Sequence, residues 1–267
     1  IADNDSDDGS AELLSALHEA GLITRVRFTT PAGGAPQLPA YNLLLAKFGN
    51  QVDWLAFIDA DEFIVPTPGE TVRERLLALS DDARIGAIGM NWAVFGSSGQ
   101  HKAGPDLVTE RFSHRAFQHQ GVNRHIKTIV RPRSCLRMSN PHKADLSAGG
   151  YAYPNGKQMA FDRKHPEGMS QQVCWEGLRV NHYVIKSYEE FKTRKQPRGR
   201  ATTSSQRLDR FFKQHDLNDE RCDWLEPWLP SLNEEIGKVL DLLATRERKA
   251  MGLSRLQRGW QKWCCKL

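Results

Sequence analysis

Apolar positions along this chain change their period in a regular way. Leu13, Leu14 and Leu17 recur at helical spacing behind Ser10, with Gly21 as a stop signal. Residues 23–28 then read as a strand, and the stretch TTPAGGAPQLP reads as a loop from its Pro and Gly content. AYNLLLAKFGN predicts a helix ending near Gly49 or Asn50. Residues 52–58 are apolar throughout except for Asp53, as expected of a strand covered on both faces in a parallel sheet. Thr71 and Glu74 form a capping box for the helix in TVRERLLAL, and residues 85–95 return as a strand. Helix and strand therefore alternate from residue 10 to 95, the order of an α/β layered fold.

The regular pattern fades over residues 96–175, which are rich in Gly, Ser, His and Arg and hold one clear strand at 125–130. This part reads as loops over a site or a smaller mixed subdomain. LRVNHYVIKS is strand-like, and Ser187 with Glu190 caps a helix through YEEFKTRK. From about residue 204 the pattern is helical and amphipathic to the end. The expected division is a domain over residues 1–203 followed by a helical C-terminal extension over residues 204–267.

Composition narrows the classes. At 267 residues the chain can bury a core without covalent staples. Its five cysteines lack CxxC spacing, which disfavours structural zinc and points to a reducing, cytoplasmic setting. A net charge of +5 is too modest to argue for a nucleic-acid partner, while a polyanionic substrate stays compatible with it. No apolar run approaches the roughly 20 residues of a membrane-spanning helix.

The acidic cluster in WLAFIDADEFIVP changes the picture most. Ligands of open α/β sheets bind beyond the carboxyl ends of strands, where Asp59 and Asp61 fall. Residues i and i+2 of an extended chain point the same way, so these two carboxylates share a face, and Glu62 points away and braces the turn. Like charges this close call for a cation, and Mn²⁺ or Mg²⁺ suits carboxylates that also meet substrate phosphates. A plain solvated turn is the alternative, disfavoured by the apolar flanks. The second acidic stretch, DNDSDDGS, does not match a calcium loop in detail. Asp3, Asn4 and Asp8 there are candidates for hydrogen bonds to a nucleotide's base or ribose, with simple capping of the helix at Ser10 as the alternative.

With both stretches placed, the chain resembles the metal-dependent nucleotide-sugar glycosyltransferases of the GT-A architecture. The nearest likeness is to glycosyltransferase family 92 and the bacterial family-2-like proteins. Besides the two acidic stretches, the motifs are NWAVFGSSG, LVTERF, HIKTIVRP and VNHYVIKSYEEF, in that order over residues 1–200. The resemblance implies a Rossmann-like mixed sheet flanked by helices. In such proteins a strand and helix precede the DNDSDDGS turn, so a first strand is expected to be missing from this sequence.

The resemblance also implies roles. Asp59 and Asp61 would hold the metal at the diphosphate of a uridine-type donor, with Asp61 the surer ligand and His182 completing the shell. Lys127 and Arg131 would meet the diphosphate. Glu110 is the candidate base for an inverting transfer, with Asp106 and Asp145 as alternatives. Trp92 and Phe95 are candidates to stack on an acceptor sugar, core packing being the alternative. The basic run at 192–200 reads as a solvated linker, or else as a loop that closes over phosphate. The acceptor would be a glycan or lipid-linked hydroxyl, and Trp260 and Trp263 among C-terminal basic residues suggest a peripheral membrane contact. Two rival functions are a non-catalytic nucleotide-sugar or carbohydrate binder and a metal-dependent phosphohydrolase.

Overall fold

The computed structural model describes residues 1–30, 34–197 and 208–250, and two compact units divide the chain. Trp260 and Trp263 lie outside the described residues, as do residues 198–200 of the basic run. The first unit comprises residues 1–34, 103–111 and 225–267. In it β1 (Ala2–Asp3) and β2 (Val26–Arg27) pair in parallel. The helix Ser10–Glu19 follows the predicted spacing and buries Leu13 and Leu17 against Leu243 of the long helix Leu229–Ala250.

The second unit, residues 35–102 and 112–224, is built on a mixed sheet. Its strands in chain order are β3 (Leu55–Ala56), β4 (Glu62–Pro66), β5 (Ile85–Val94), β6 (His114–Arg115), β7 (Ile126–Val130), β8 (Cys135–Met138), β9 (Ala144–Leu146), β10 (Gly150–Ala152), β11 (Leu178–His182) and β12 (Glu220–Arg221). The main sheet runs β3-β7-β5-β11-β4, with β10 beside the first half of β5. β5 is parallel to β10 and β11, and the other pairings in this sheet are antiparallel. Two small antiparallel pairs complete the unit: β8 with β9, and β6 with β12, where β6 also bridges to Phe95 at the end of β5.

Both faces of the sheet are covered. Alternate residues Ile88, Met90, Trp92 and Val94 of β5 enter one apolar cluster, while Ala87 enters a second with Ile126 and Val130 of β7. All ten residues of β5 are buried in consequence, which accounts for its unbroken apolar sequence. The predicted caps form as expected: Thr71 with Glu74 opens the helix Val72–Ala78, and Ser187 with Glu190 opens Tyr188–Glu190, which continues as a π-helical turn over Phe191–Lys195.

The run before the acids departs from expectation. It contributes only Leu55–Ala56 to the sheet, as an edge strand antiparallel to β7 rather than a central parallel strand. From there residues 57–61 carry the chain to β4 at the opposite edge, with the Glu62 N–H donating to the Asp59 carbonyl in a tight turn. Strands in a sheet lie about 4.8 Å apart, so a flat path across this sheet would exceed the reach of five residues that include a turn. The sheet must curl to bring its edges together. The acidic turn consequently lies close to β7, β5 and β11, and those strands deliver the side chains around it.

The NWAVFGSSG segment is held from below by a later loop. Asp216 and Asn218 accept the Ser97 and Ser98 N–H groups at 2.8 and 2.7 Å. A Cβ on Gly96 would sit 2.3 Å from Asn218 Oδ1, so glycine is the residue this approach permits.

Candidate functional site

Each acid of the turn has a different environment. Asp59 Oδ1 accepts from Gln37 Nε2 at 2.5 Å and from the Tyr41 hydroxyl at 2.6 Å, both on the helix Gln37–Phe48. Its Oδ2 accepts from Lys127 Nζ of β7 at 3.0 Å. Glu62 is wholly buried: Oε2 takes the Asp59 N–H at 2.9 Å and faces Lys127 Nζ at 3.2 Å, while Oε1 has no hydrogen-bond partner. Glu62 thus braces the turn, as its orientation in the sequence suggests. Asp61 carries Lys195 Nζ on Oδ2 at 2.6 Å and turns Oδ1 toward His182 Nε2 at 3.7 Å.

Electrostatics follow from these contacts. Burial raises the Glu62 carboxyl to about 8, so it favours the neutral form near pH 7. Burial also disfavours charge on Asp59 and Asp61, yet Lys127 in the first case and Lys195 with His182 in the second outweigh it and hold both below the ordinary range. Desolvation likewise opposes charge on Lys127, but Glu62 and Asp59 keep its ammonium strongly protonated. Burial lowers His182 to about 3, which leaves a neutral imidazole at physiological pH. Its Nδ1 has no partner and lies 4.0 Å from the unpartnered Glu62 Oε1. Lys186, on a residue with φ of 59°, also feels the Asp61 charge, and burial lowers it to about 8.

The structure therefore gathers Asp59, Asp61, Lys127 and His182 at one place. Neither Asp59 oxygen is free of a protein donor, and Asp61 Oδ2 takes Lys195, which leaves Asp61 Oδ1 as the open oxygen of the pair. Gln37, Tyr41 and Lys186 join the site without a sequence signal. Lys195 belongs to the basic run read as a solvated linker, and its ion pair with Asp61 corrects that reading for this residue.

Other expectations need correction. Arg131 does not face a diphosphate: its guanidinium donates to the carbonyls of Ile85, Leu79 and Ser80 at 2.7–2.9 Å and stacks 4.3 Å from the Trp54 ring. It closes the end of the helix Val72–Ala78 and the start of β5. Arg131→Met should cost about 3 kcal/mol in urea unfolding, because buried carbonyls lose a charged donor. Trp92 and Phe95 are not open to a sugar either. Trp92 is buried with its ring 4.6 Å from His125 and 4.3 Å from His182, so it floors the site, and Phe95 is buried against Tyr183 at 4.6 Å.

Asp3, Asn4, Asp8 and Glu110 belong to the first unit. Asp3 is buried and paired with Arg25, and its Oδ1 accepts the Ser6 N–H, so this carboxylate is spent on its own loop rather than offered to a base. Asn4 Oδ1 accepts from Thr30, and Asp8 Oδ1 takes the Ser10 N–H at the helix start. Glu110 is exposed and accepts from Asn233 at 2.9 Å. Among the described residues no group of three or more His, Cys, Asp or Glu is placed to hold a metal by itself, and no helix is long and apolar enough to cross a membrane.

Comparison with known proteins identifies the family. The family model of glycosyltransferase family 92 matches residues 3–209, which takes in both acidic stretches, β7 and β11. A rice protein (Oryza sativa subsp. japonica) described as a glycosyltransferase family 92 protein is 29% identical over 194 residues, covering 72% of this chain. That overlap is 29% of the rice protein, so the chain spans under a third of its relative's length. On the extent of the family match, together with a mixed α/β sheet that presents the acidic turn, this chain belongs to glycosyltransferase family 92.

Proposed function

We propose that this chain transfers a sugar from a nucleoside-diphosphate donor, of the uridine type, to a hydroxyl of a glycan or lipid-linked acceptor, with Mn²⁺ or Mg²⁺ held by Asp61 and His182. The observation that carries the reading is the pairing of one open carboxylate with a buried neutral imidazole under lysine ammoniums. Hard divalent cations take one or two carboxylates and fill the remaining positions with water and substrate phosphates, so a complete protein cage is not required. A neutral His is the ligating form.

The orphaned buried atoms fit the same group. If His182 carries its proton on Nδ1, toward Glu62 Oε1, then Nε2 turns a lone pair toward the side on which Asp61 Oδ1 lies. A carboxyl behind an imidazole is the usual device for fixing the tautomer of a metal-binding His. When bound, the ion supplies stabilisation of charge on the departing diphosphate.

The chain's own groups do the rest. Lys195 and Lys186 bring positive charge to the face of Asp61 where phosphate oxygens would arrive. Lys127, Gln37 and Tyr41 fix Asp59 and with it the turn that aims Asp61. A phosphohydrolase working through an aspartyl nucleophile is disfavoured, because the first aspartate of the pair has donors on both oxygens.

Calorimetric titration with UDP and UDP-sugars, with and without Mn²⁺, tests the reading. Metal-dependent binding together with turnover of at least one donor is the expected result. Binding without turnover would favour a non-catalytic sugar-nucleotide binder, and binding that ignores the metal would remove the ion from the site.

A further inference from the structure

We infer that Lys195 is a tethered counter-cation: it neutralises Asp61 while no divalent ion is bound and passes to the donor diphosphate when one arrives. The inference rests on the assignment of Asp61 and His182 to the ion. Its basis is the way Lys195 is mounted. The capping box of Ser187 and Glu190 and the fully buried Phe191 anchor the start of the turn. The chain then winds as a π-helical turn, with the Gln196 N–H donating to the Phe191 carbonyl at 2.7 Å. Such turns are uncommon and concentrate at functional sites.

The base of the turn is fixed, and the lysine at its end sits 2.6 Å from Asp61 Oδ2 with its side chain 26% exposed. A lysine stem has the length and freedom to change partners without moving the backbone.

Charge accounting explains why it should change partners. Asp59 is already matched by Lys127, and Asp61 by Lys195. A divalent ion binding Asp61 in this state meets a lysine ammonium on the same carboxylate and a second ammonium, Lys186, close by. Like charges at such range repel unless an anion enters with the ion. The diphosphate is that anion, and Lys195 gains a new partner at the moment it loses Asp61. Ion and donor therefore bind cooperatively, and the penalty on the ion alone is located in Lys195.

Manganese binding to the full chain without nucleotide, followed by the electron paramagnetic resonance signal of the free ion, tests this directly. Lys195→Gln should bind Mn²⁺ about tenfold tighter than wild type, and UDP should raise the Mn²⁺ affinity of this variant by a smaller factor. Lys192→Gln is the control: it lies on the same turn but pairs with Asp209, and it should match wild type. Unchanged or weaker Mn²⁺ binding in Lys195→Gln, with wild-type binding intact, overturns the inference. Failure of both wild type and Lys195→Gln to bind Mn²⁺, or binding untouched by Asp61→Asn, overturns the ion's assignment itself.

Discussion

Asp61→Asn should lower metal-dependent UDP affinity by at least about a hundredfold while leaving the fold standing. The side chain keeps its shape in this variant, and the Asp61 carbonyl still accepts the Tyr183 N–H at 2.9 Å, so the pairing of β4 with β11 is preserved. What disappears is the one carboxylate charge not enclosed by neutral donors. Lys195 and Lys186 then lose the anion whose charge both of them feel, and the ion loses its charged ligand.

Asp59→Asn should show the opposite profile. Gln37, Tyr41 and Lys127 all donate to Asp59, and an amide must turn its own N–H groups toward at least one of them. The expected cost is about 1–3 kcal/mol of stability, with measurable donor binding retained. Calorimetry with Mn²⁺ and UDP, paired with urea unfolding, separates the two; equal loss of affinity in both variants would mean that both aspartates serve the donor. His182 adds no pH dependence to that binding between pH 5 and 8, because burial places its titration near 3, below the window. A proton release from an imidazole in that range would contradict the buried setting.

Local signals in this sequence were the legible ones. The caps at Thr71 and Ser187 and the apolar strands around β5, β7 and β11 depend on nearest neighbours and on period, and they form where expected. The direction and order of strands depend on non-local pairing instead. An apolar run such as residues 52–58 suits a central parallel strand or an edge strand backed by a helix equally well, and the curl that joins the two edges leaves no trace in the period. The acidic pair was legible because apolar flanks make an exposed acidic turn costly.

The partners of those acids were harder to see. Lys127 reads as any cation in a strand, and only tertiary structure shows that it is fully buried between two carboxylates. Arg131 and Lys195 exchange the roles their surroundings suggest. The arginine just past β7 caps main-chain carbonyls, whereas the lysine in a run that looks like a solvated linker reaches the acidic turn. Long side chains choose partners several ångströms from their own backbone, so sequence position constrains them weakly. Trp92 and Phe95 illustrate the converse: aromatic residues in a ten-residue apolar strand went to the core, one of them directly beneath His182.

Lys127→Met should destabilise the protein by about 3–5 kcal/mol, since removing one partner of a buried ion pair leaves its counter-charges uncompensated. Lys127 and Glu62 are both inaccessible to water, so no solvent can replace the lost ammonium. Near neutral pH Asp59 is the charge left uncompensated, its hydrogen bonds from Gln37 and Tyr41 limiting the loss, and Glu62 adds its share as pH rises toward 8 and its carboxyl ionises. The pH dependence identifies the group responsible. The Glu62 carboxyl moves from an ordinary 4.5 to about 8 on folding, so between those values the folded state holds a proton that the unfolded state has lost. The stability this group contributes is present in full below its unfolded value and is lost as pH rises toward 8, with a slope of up to about 1.4 kcal/mol per pH unit. Glu62→Gln should flatten that slope relative to wild type, and Lys127→Met should steepen the loss at the alkaline end because nothing remains to offset the ionised form. The double variant should be less destabilised than Lys127→Met alone, with a coupling energy that urea titrations at pH 5 and 8 can measure. A cost below about 1 kcal/mol for Lys127→Met, or no coupling to Glu62, would show that the buried lysine is not what holds the acidic turn in place.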